Sequence, residues 1–408
     1  MAFDRGAALT WYQRNRERSR ALFDMLPEDV YYSRPIDLRH PVVFYDGHLP
    51  GFSFNTLNKR ALGRPGIDAR LETLFARGID PSESQVDQPD SLHRRSGEAA
   101  KAWPDRETVR AFVAEADARV IAALTNDDLD RPGDALLDRA DAVYTILEHE
   151  AMHQETLLYM WHRLPFAQKR RPSGYVPVTE GRVPAEEWCE IPAGRATLGA
   201  DRASLAFGWD NEMPRHGADV PAFAIQKHDI TNARYMEFVA AGAAPPLFWE
   251  RVDGVWYWRG MFELIPLPMS WPVYVSQAEA SAYAAWRGWR LPTEAEYQRA
   301  ADGASAGVCD FSSWDPEPAG SHPSGVSRFG VEDMVGNGWE WTSTPFAPFP
   351  GFRASAAYPE YSADFFDGEH FVMKGASPAT ARELLRPTFR NWFRARYPFV
   401  YATFRCAK

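Results

Sequence analysis

Cysteine is scarce in this chain: three residues in 408, Cys189, Cys309 and Cys406, with no two of them near each other. That spacing offers neither a CxxC metal motif nor a disulfide framework, and it fits a reducing compartment. Long apolar runs are missing as well. Nothing approaches the roughly 18 consecutive apolar residues of a membrane-crossing helix. The N-terminal segment, MAFDRGAALTWYQRNRERSR, is polar and charged, unlike a signal peptide. A surplus of positive charge is also absent: the net charge is -10, and no basic cluster interleaves with aromatics. Nucleic acid and anionic membrane are therefore poor partners, and a cytoplasmic enzyme is the expectation. What the chain has in quantity is apolar surface. With 45% hydrophobic residues it can build the cores of two or three domains.

The most informative stretch is His149-Glu150-Ala151-Met152-His153-Gln154-Glu155. It lies in a run from about Leu136 to Leu164 that contains no Pro or Gly and has apolar residues at helical spacing, which predicts one long helix. Histidines four residues apart stand one turn above each other, about 5–6 Å between Cβ atoms, so both imidazoles can reach a single metal ion. They share a stripe with Ile146, Leu157, Met160 and Leu164, which faces inward. One histidine on such a face is usually a hydrogen-bonded core residue. Two, flanked by two glutamates and a glutamine that all need partners if buried, point to a metal site. The pattern is also the H-E-x-x-H of zinc proteases, with the glutamate as general base. His162, the nearest downstream histidine, lacks the Gly-containing turn of the best-known variant of that motif.

Around this helix the pattern predicts a bundle. Residues 8–26 read as a helix, and a turn at Ser33-Arg34-Pro35 follows. His48 ends an apolar and aromatic run, His40–Phe52, at the junction into a second helix reaching about Leu62. It is a third-ligand candidate because the paired histidines need one. Residues 63–104 form a long connection holding His93-Arg94-Arg95, either a solvated loop or a binder of an anionic or polar substrate. A third helix starts at Asp105. Four helices with one long crossover make a bundle whose facing helices build a metal site. The charged stretch Gln168–Gly174 marks a boundary. The expected organisation is a bundle over 1–170, a linker over 171–187 and an irregular α+β domain over 188–408, where 12 of the 15 tryptophans lie.

In that last domain, Ile191-Pro192-Ala193-Gly194, Trp286–Tyr297, Met334-Val335-Gly336-Asn337-Gly338-Trp339-Glu340-Trp341 and Lys374-Gly375-Ala376-Ser377 resemble the formylglycine-generating-enzyme (sulfatase-modifying-factor) fold. That fold is itself related in shape to C-type-lectin-like modules. The copper-binding cysteine pair of those enzymes is absent, so their activity is not expected. The first domain resembles a DinB-type four-helix metal bundle. Fused in this order, the two resemble the ergothioneine-type sulfoxide synthases, nonheme iron enzymes that use O2 to join a sulfur donor to hercynine. The resemblance implies an α+β, two-domain protein with Fe(II) on His48, His149 and His153. It further implies hercynine contacts from Asn391, Trp392 and Phe393 in the segment Arg390–Phe393, with Gln154 beside the metal; for the donor, the charge of the loop itself offers Arg94 and Arg95, which suit a carboxylate or sugar hydroxyls equally.

Two departures bear on the donor. The loop in which the family carries a proton-transferring tyrosine reads Thr344–Phe352 here, with phenylalanine at the expected position, so Tyr358 or Tyr361 is the candidate substitute. Phe44–Phe52 resembles the selenoneine synthase branch, which takes a selenosugar. A selenol ionises more readily than a thiol, so the resemblance favours a selenosugar, with cysteine or γ-glutamylcysteine as the alternative. A module that only binds a ligand remains a third possibility, and a closed four-ligand metal site would identify it.

Overall fold

The computed structural model describes residues 3–76 and 103–408. The chain divides into two compact units, Met1–Arg171 and Pro172–Lys408.

The first unit is helical. Helix α1 spans Arg5–Asp24, and the Asp4 carboxylate caps it by accepting from the Ala7 N–H at 2.9 Å. Helix α2, Val42–Ser53, runs on into a π-helical stretch, Phe54–Ala61. A short α3, Ala69–Leu74, follows. Helix α4, Arg106–Asn126, starts on an Asp105 cap to the Thr108 N–H at 2.7 Å. Helix α5 spans Asp141–Arg163. The long pieces pack with α2 against α4 and α1 against α5.

Two boundaries differ from the sequence pattern. The helix expected from Leu136 begins at Asp141, because Arg139 and Ala140 hold left-handed φ angles of 57° and 56°. Side-chain acceptors win there: Asp134 takes the N–H groups of Leu136 and Leu137 at 2.8 and 3.0 Å, and Asp130 takes that of Arg139 at 3.0 Å. His48 is not at a junction. It sits inside α2, which continues through Pro50 although that residue has no N–H to donate.

Helix α5 is buried along nearly its whole length, so every face must find partners. Its Glu150 accepts from Arg16 of α1 at 2.7 Å and from the Ser19 hydroxyl at 2.6 Å. The Arg16 Nε lies 2.9 Å from Asp117 of α4, and the Tyr12 hydroxyl donates to the same carboxylate at 2.8 Å. One guanidinium thus ties three helices together in a space that water does not enter.

The second unit is an α+β body. Strands β1 (Trp188–Ile191) and β4 (Phe223–Gln226) pair antiparallel, as do β2 (Gly194–Leu198) and β3 (His216–Val220). A three-stranded meander follows, β5 (Trp249–Val252), β6 (Val255–Arg259) and β7 (Leu264–Pro266). The main sheet has the order β10-β9-β8-β11, from Asn391–Arg394, His370–Ala376, Gly338–Pro345 and Ala402–Thr403, with only β8 and β11 parallel. Helices α6 (Asn232–Ala240), α7 (Gln277–Trp286) and α8 (Glu294–Ala300) complete the frame. At its centre the fully buried Arg405 is held by both Glu340 oxygens at 2.6 and 2.9 Å and by Asp229 at 3.1 Å. The segment expected as a linker lies on this unit: the Tyr175 hydroxyl donates to Asp315, and the Val178 carbonyl accepts from Trp271 at 2.8 Å.

Truncating one partner of a buried ion pair strands the other charge, at a cost of about 3–5 kcal/mol. Arg16→Ala is expected to lower the unfolding free energy by that amount in urea denaturation. Arg20→Ala removes a guanidinium that also reaches Asp117 but is 59% exposed, and is expected to cost less than about 1 kcal/mol. Equal losses would mean that the cost of losing a partner does not come from a stranded buried charge.

Candidate metal centre

Helix α5 presents His149 and His153 on one side, and α2 brings His48 to meet them. One ring nitrogen from each lies within 4.8 Å of the other two, and the Nε2 atoms of His48 and His153 are 3.3 Å apart. Three imidazole nitrogens bound to one ion at about 2.1 Å stand roughly 3.0–3.4 Å from one another, so the donor set fits a metal ion. Among the described residues no carboxylate or thiolate joins the three. A metal held by such a set with no fourth protein ligand would have the open position that catalytic sites keep.

The rings are held from all sides. Phe44 stacks on His48 at 4.9 Å, Phe52 on His149 at 3.6 Å, and Tyr45 tilts against His153 at 5.8 Å. The Phe44-x3-His48-x3-Phe52 spacing that places two of these rings one turn either side of the histidine was available in the sequence. The Phe75 carbonyl was not: it accepts from His48 Nδ1 at 2.7 Å, which leaves the Nε2 lone pair for the centre of the triad. Burial pushes His48 down to about 4. It also holds His149 and His153 well below the usual histidine range, helped by neighbouring histidines and, at His153, by Arg39. All three imidazoles are neutral at pH 7, the form that binds a metal.

Two neighbours expected at the metal turn elsewhere. Residues adjacent on a helix point about 100° apart, so Glu150 and Gln154 face α1. Glu150, the general base of the protease alternative, is held by Arg16 and Ser19. Gln154, expected beside the metal, donates to the Asn15 carbonyl at 2.8 Å and to Ser19 at 3.1 Å, and accepts from Arg18 at 3.1 Å. Its amide is satisfied by α1. His93, Arg94 and Arg95 lie outside the described residues.

In the second unit Trp392 lies flat on Phe346 at 4.2 Å, with Tyr361 edge-on at 5.1 Å and Phe365 at 5.7 Å. Tyr361 stacks on Trp209 at 3.8 Å, and Tyr358 is 5.8 Å from it. Side chains alternate along a strand, so Phe393 leaves β10 on the other face, where it stacks on Tyr397 at 5.1 Å. Trp392 and Phe393, both expected to contact hercynine, therefore leave β10 on opposite faces. The Asn391 side chain accepts from the Trp392 N–H at 2.9 Å. Arg390 is buried against Glu294, with contacts of 2.9 and 3.1 Å.

Residues 175–408 match the family described as sulfatase-modifying factor enzyme 1-like domain, and residues 12–157 match the DinB superfamily. The chain is 29% identical to ergothioneine biosynthesis protein 1 of Schizosaccharomyces pombe over 94% of its own length, and spans about half, 54%, of that relative. It is 34% identical to the hercynine oxygenase of Mycolicibacterium smegmatis, covering 69% of this chain and 73% of the relative. With that of Mycolicibacterium thermoresistibile it shares 32% over 81% and 78%. No helix among the described residues is long and apolar enough to cross a membrane.

The depressed imidazoles set a pH dependence. A histidine whose folded pKa lies below the unfolded value of about 6.5 contributes stability that is complete above pH 6.5 and is lost as pH falls towards the folded value, because the unfolded chain takes up the proton first. For His48 that window runs from 6.5 to about 4. The metal-free protein is expected to lose thermal stability between about pH 6.5 and 5, before most carboxylates titrate. His48→Gln should show a shallower slope in the same melts, and parallel slopes would contradict the burial argument.

Proposed function

The chain belongs to the sulfatase-modifying factor enzyme 1-like family and to the family of the hercynine oxygenases, and from this premise we propose that it is an Fe(II)- and O2-dependent enzyme acting on hercynine. The product would carry a new bond between the imidazole carbon of hercynine and a chalcogen donor. One observation carries this reading: three neutral imidazoles from two helices converge with no fourth protein ligand among the described residues. Fe(II) on His48, His149 and His153 would supply Lewis acidity and one-electron chemistry towards O2, with coordination positions left for substrates. The chain's own contribution is to keep these ligands neutral, oriented and shielded by Phe44, Tyr45 and Phe52.

The trimethylammonium group of hercynine calls for aromatic faces, each worth about 0.5–2 kcal/mol. The cluster of Trp392, Phe346, Tyr361 and Phe365 supports that assignment. Asn391 and Phe393 belong to the same proposal through the family resemblance alone, and Arg94 and Arg95 are proposed for the donor on their charge. Tyr358 and Tyr361 are the proposed hydroxyl sources in place of the tyrosine that segment Thr344–Phe352 lacks.

For the donor, the names of the relatives support sulfur, hence cysteine or γ-glutamylcysteine, over the selenosugar that segment Phe44–Phe52 suggested. The selenosugar stays as a second reading on one observation: the segment Thr344–Phe352 holds no tyrosine to move a proton, and a selenolate needs less proton transfer than a thiol.

Anaerobic incubation of the iron-loaded chain with hercynine and each donor, then O2 and mass spectrometry, tests the reading. A hercynine adduct is expected, and its absence with every donor would overturn the assignment. His48→Ala, His149→Ala and His153→Ala should each lose stoichiometric iron and turnover, while retention of both in His48→Ala would remove it from the ligand set. The kcat/KM ratio between thiol and selenosugar decides the donor. A ratio above one is expected, and a ratio below one returns the selenium reading.

A further inference from the structure

The histidine contributed by α2 is held through its outer ring nitrogen. His48 donates from Nδ1 to a backbone carbonyl, that of Phe75, and the ring of the same Phe75 lies against the residue that precedes His48. A Cβ on Gly47 would stand 2.5–2.6 Å from Cε2, Cδ2 and Cζ of the Phe75 ring, a separation no real contact reaches. One turn later, a Cβ on Gly51 would stand 3.5 Å from the Phe75 Cβ. The side chain of Phe75 thus lies along two glycines of α2, in the notch that their missing side chains leave. It is fully buried there, with Phe112 at 5.8 Å, Phe44 at 6.3 Å and Trp103 at 6.4 Å around the ring. Its N–H closes α3 on the Leu71 carbonyl at 2.9 Å.

We propose that Phe75 is a positioning residue for the metal ligand His48, and that Gly47 is a glycine so that the Phe75 ring can seat and bring its carbonyl to His48 Nδ1. The inference rests on reading the triad as a metal site. The ring is rigid and enclosed by three other aromatics, so a methyl group at position 47 cannot be met by a side-chain swing. The displacement passes to the Phe75 backbone and hence to its carbonyl. A His48 without that acceptor is free to carry its proton on Nε2, aimed at the triad instead of offering a lone pair there. In an open helix Gly→Ala strengthens the helix. Here the substitution is expected to weaken both the packing and the site.

The test uses the full chain and Co(II) as probe, with affinity read by competition against a chelator. Gly47→Ala is expected to bind Co(II) about 10–100-fold more weakly than wild type, the usual consequence of losing a partner that orients a ligating histidine. Gly47→Ala/Phe75→Leu, which shrinks the ring that the methyl group meets, is expected to recover to the affinity of Phe75→Leu alone, which loses part of the seat and weakens binding by less than Gly47→Ala does. Wild-type affinity in a folded Gly47→Ala, or no recovery in the double variant, would overturn the proposal. Nitrogen-15 NMR of the histidine rings in the metal-free wild type gives a readout that needs no variant to fold. His48 protonated on Nδ1 is expected, and protonation on Nε2 would overturn the proposal by itself. If wild type binds no Co(II) at all while His48 is protonated on Nδ1, the metal reading has failed and the positioning of His48 by Phe75 stands.

Discussion

A guanidinium buried among helices must keep its carboxylates, and in the first unit that requirement fixes the rotation of α5. Arg16, 4% exposed, reaches Glu150 on one helix and Asp117 on another. With Glu150 committed to α1, the residue before it and the one three further on must point towards α2, because a helix advances about 100° per residue. The placement of His149 and His153 is in this sense the other side of an ion pair. The second unit repeats the device with Arg405, whose two carboxylate partners come from different parts of the chain. Neither pair is a cheap source of stability, since desolvation offsets much of the attraction. What they supply is a single allowed arrangement.

The imidazoles illustrate the complementary economy. Burying three neutral rings among Phe44, Tyr45 and Phe52 removes apolar surface from water and at the same time suppresses protonation. The packing that stabilises the helices is also what keeps the lone pairs available.

Much of this was legible in the residues themselves, for identifiable reasons. An i, i+4 histidine pair on a Pro- and Gly-free run needs only helical geometry, and Asp105 before a periodic stretch signals a cap. The opposite faces of Trp392 and Phe393 were legible in principle from strand alternation, but only once β10 was known to be a strand. Other features lay beyond any one-dimensional pattern. Competition by Asp130 and Asp134 for backbone N–H groups shortens α5 although the sequence there contains no breaker. Continuation of α2 through Pro50 depends on tertiary packing overriding local preference. The Phe75 carbonyl is a backbone group, and no side-chain pattern announces which backbone oxygen a histidine will find.

The π-helical stretch Phe54–Ala61 has a consequence for how the length of this chain can change. A π turn is an α-helix accommodating an extra residue in its hydrogen-bond ladder. Loss of one residue within the stretch would restore the α ladder and rotate everything after it, while leaving the helix before it in register. His48 lies before it and keeps its place on α2, whereas Phe75, whose carbonyl accepts from the imidazole, lies after it and would move. A deletion inside α2 ahead of His48 would instead turn the imidazole away from its two partners. The two deletions would therefore reach His48 by different routes, one through its own helix and the other through the acceptor of its Nδ1.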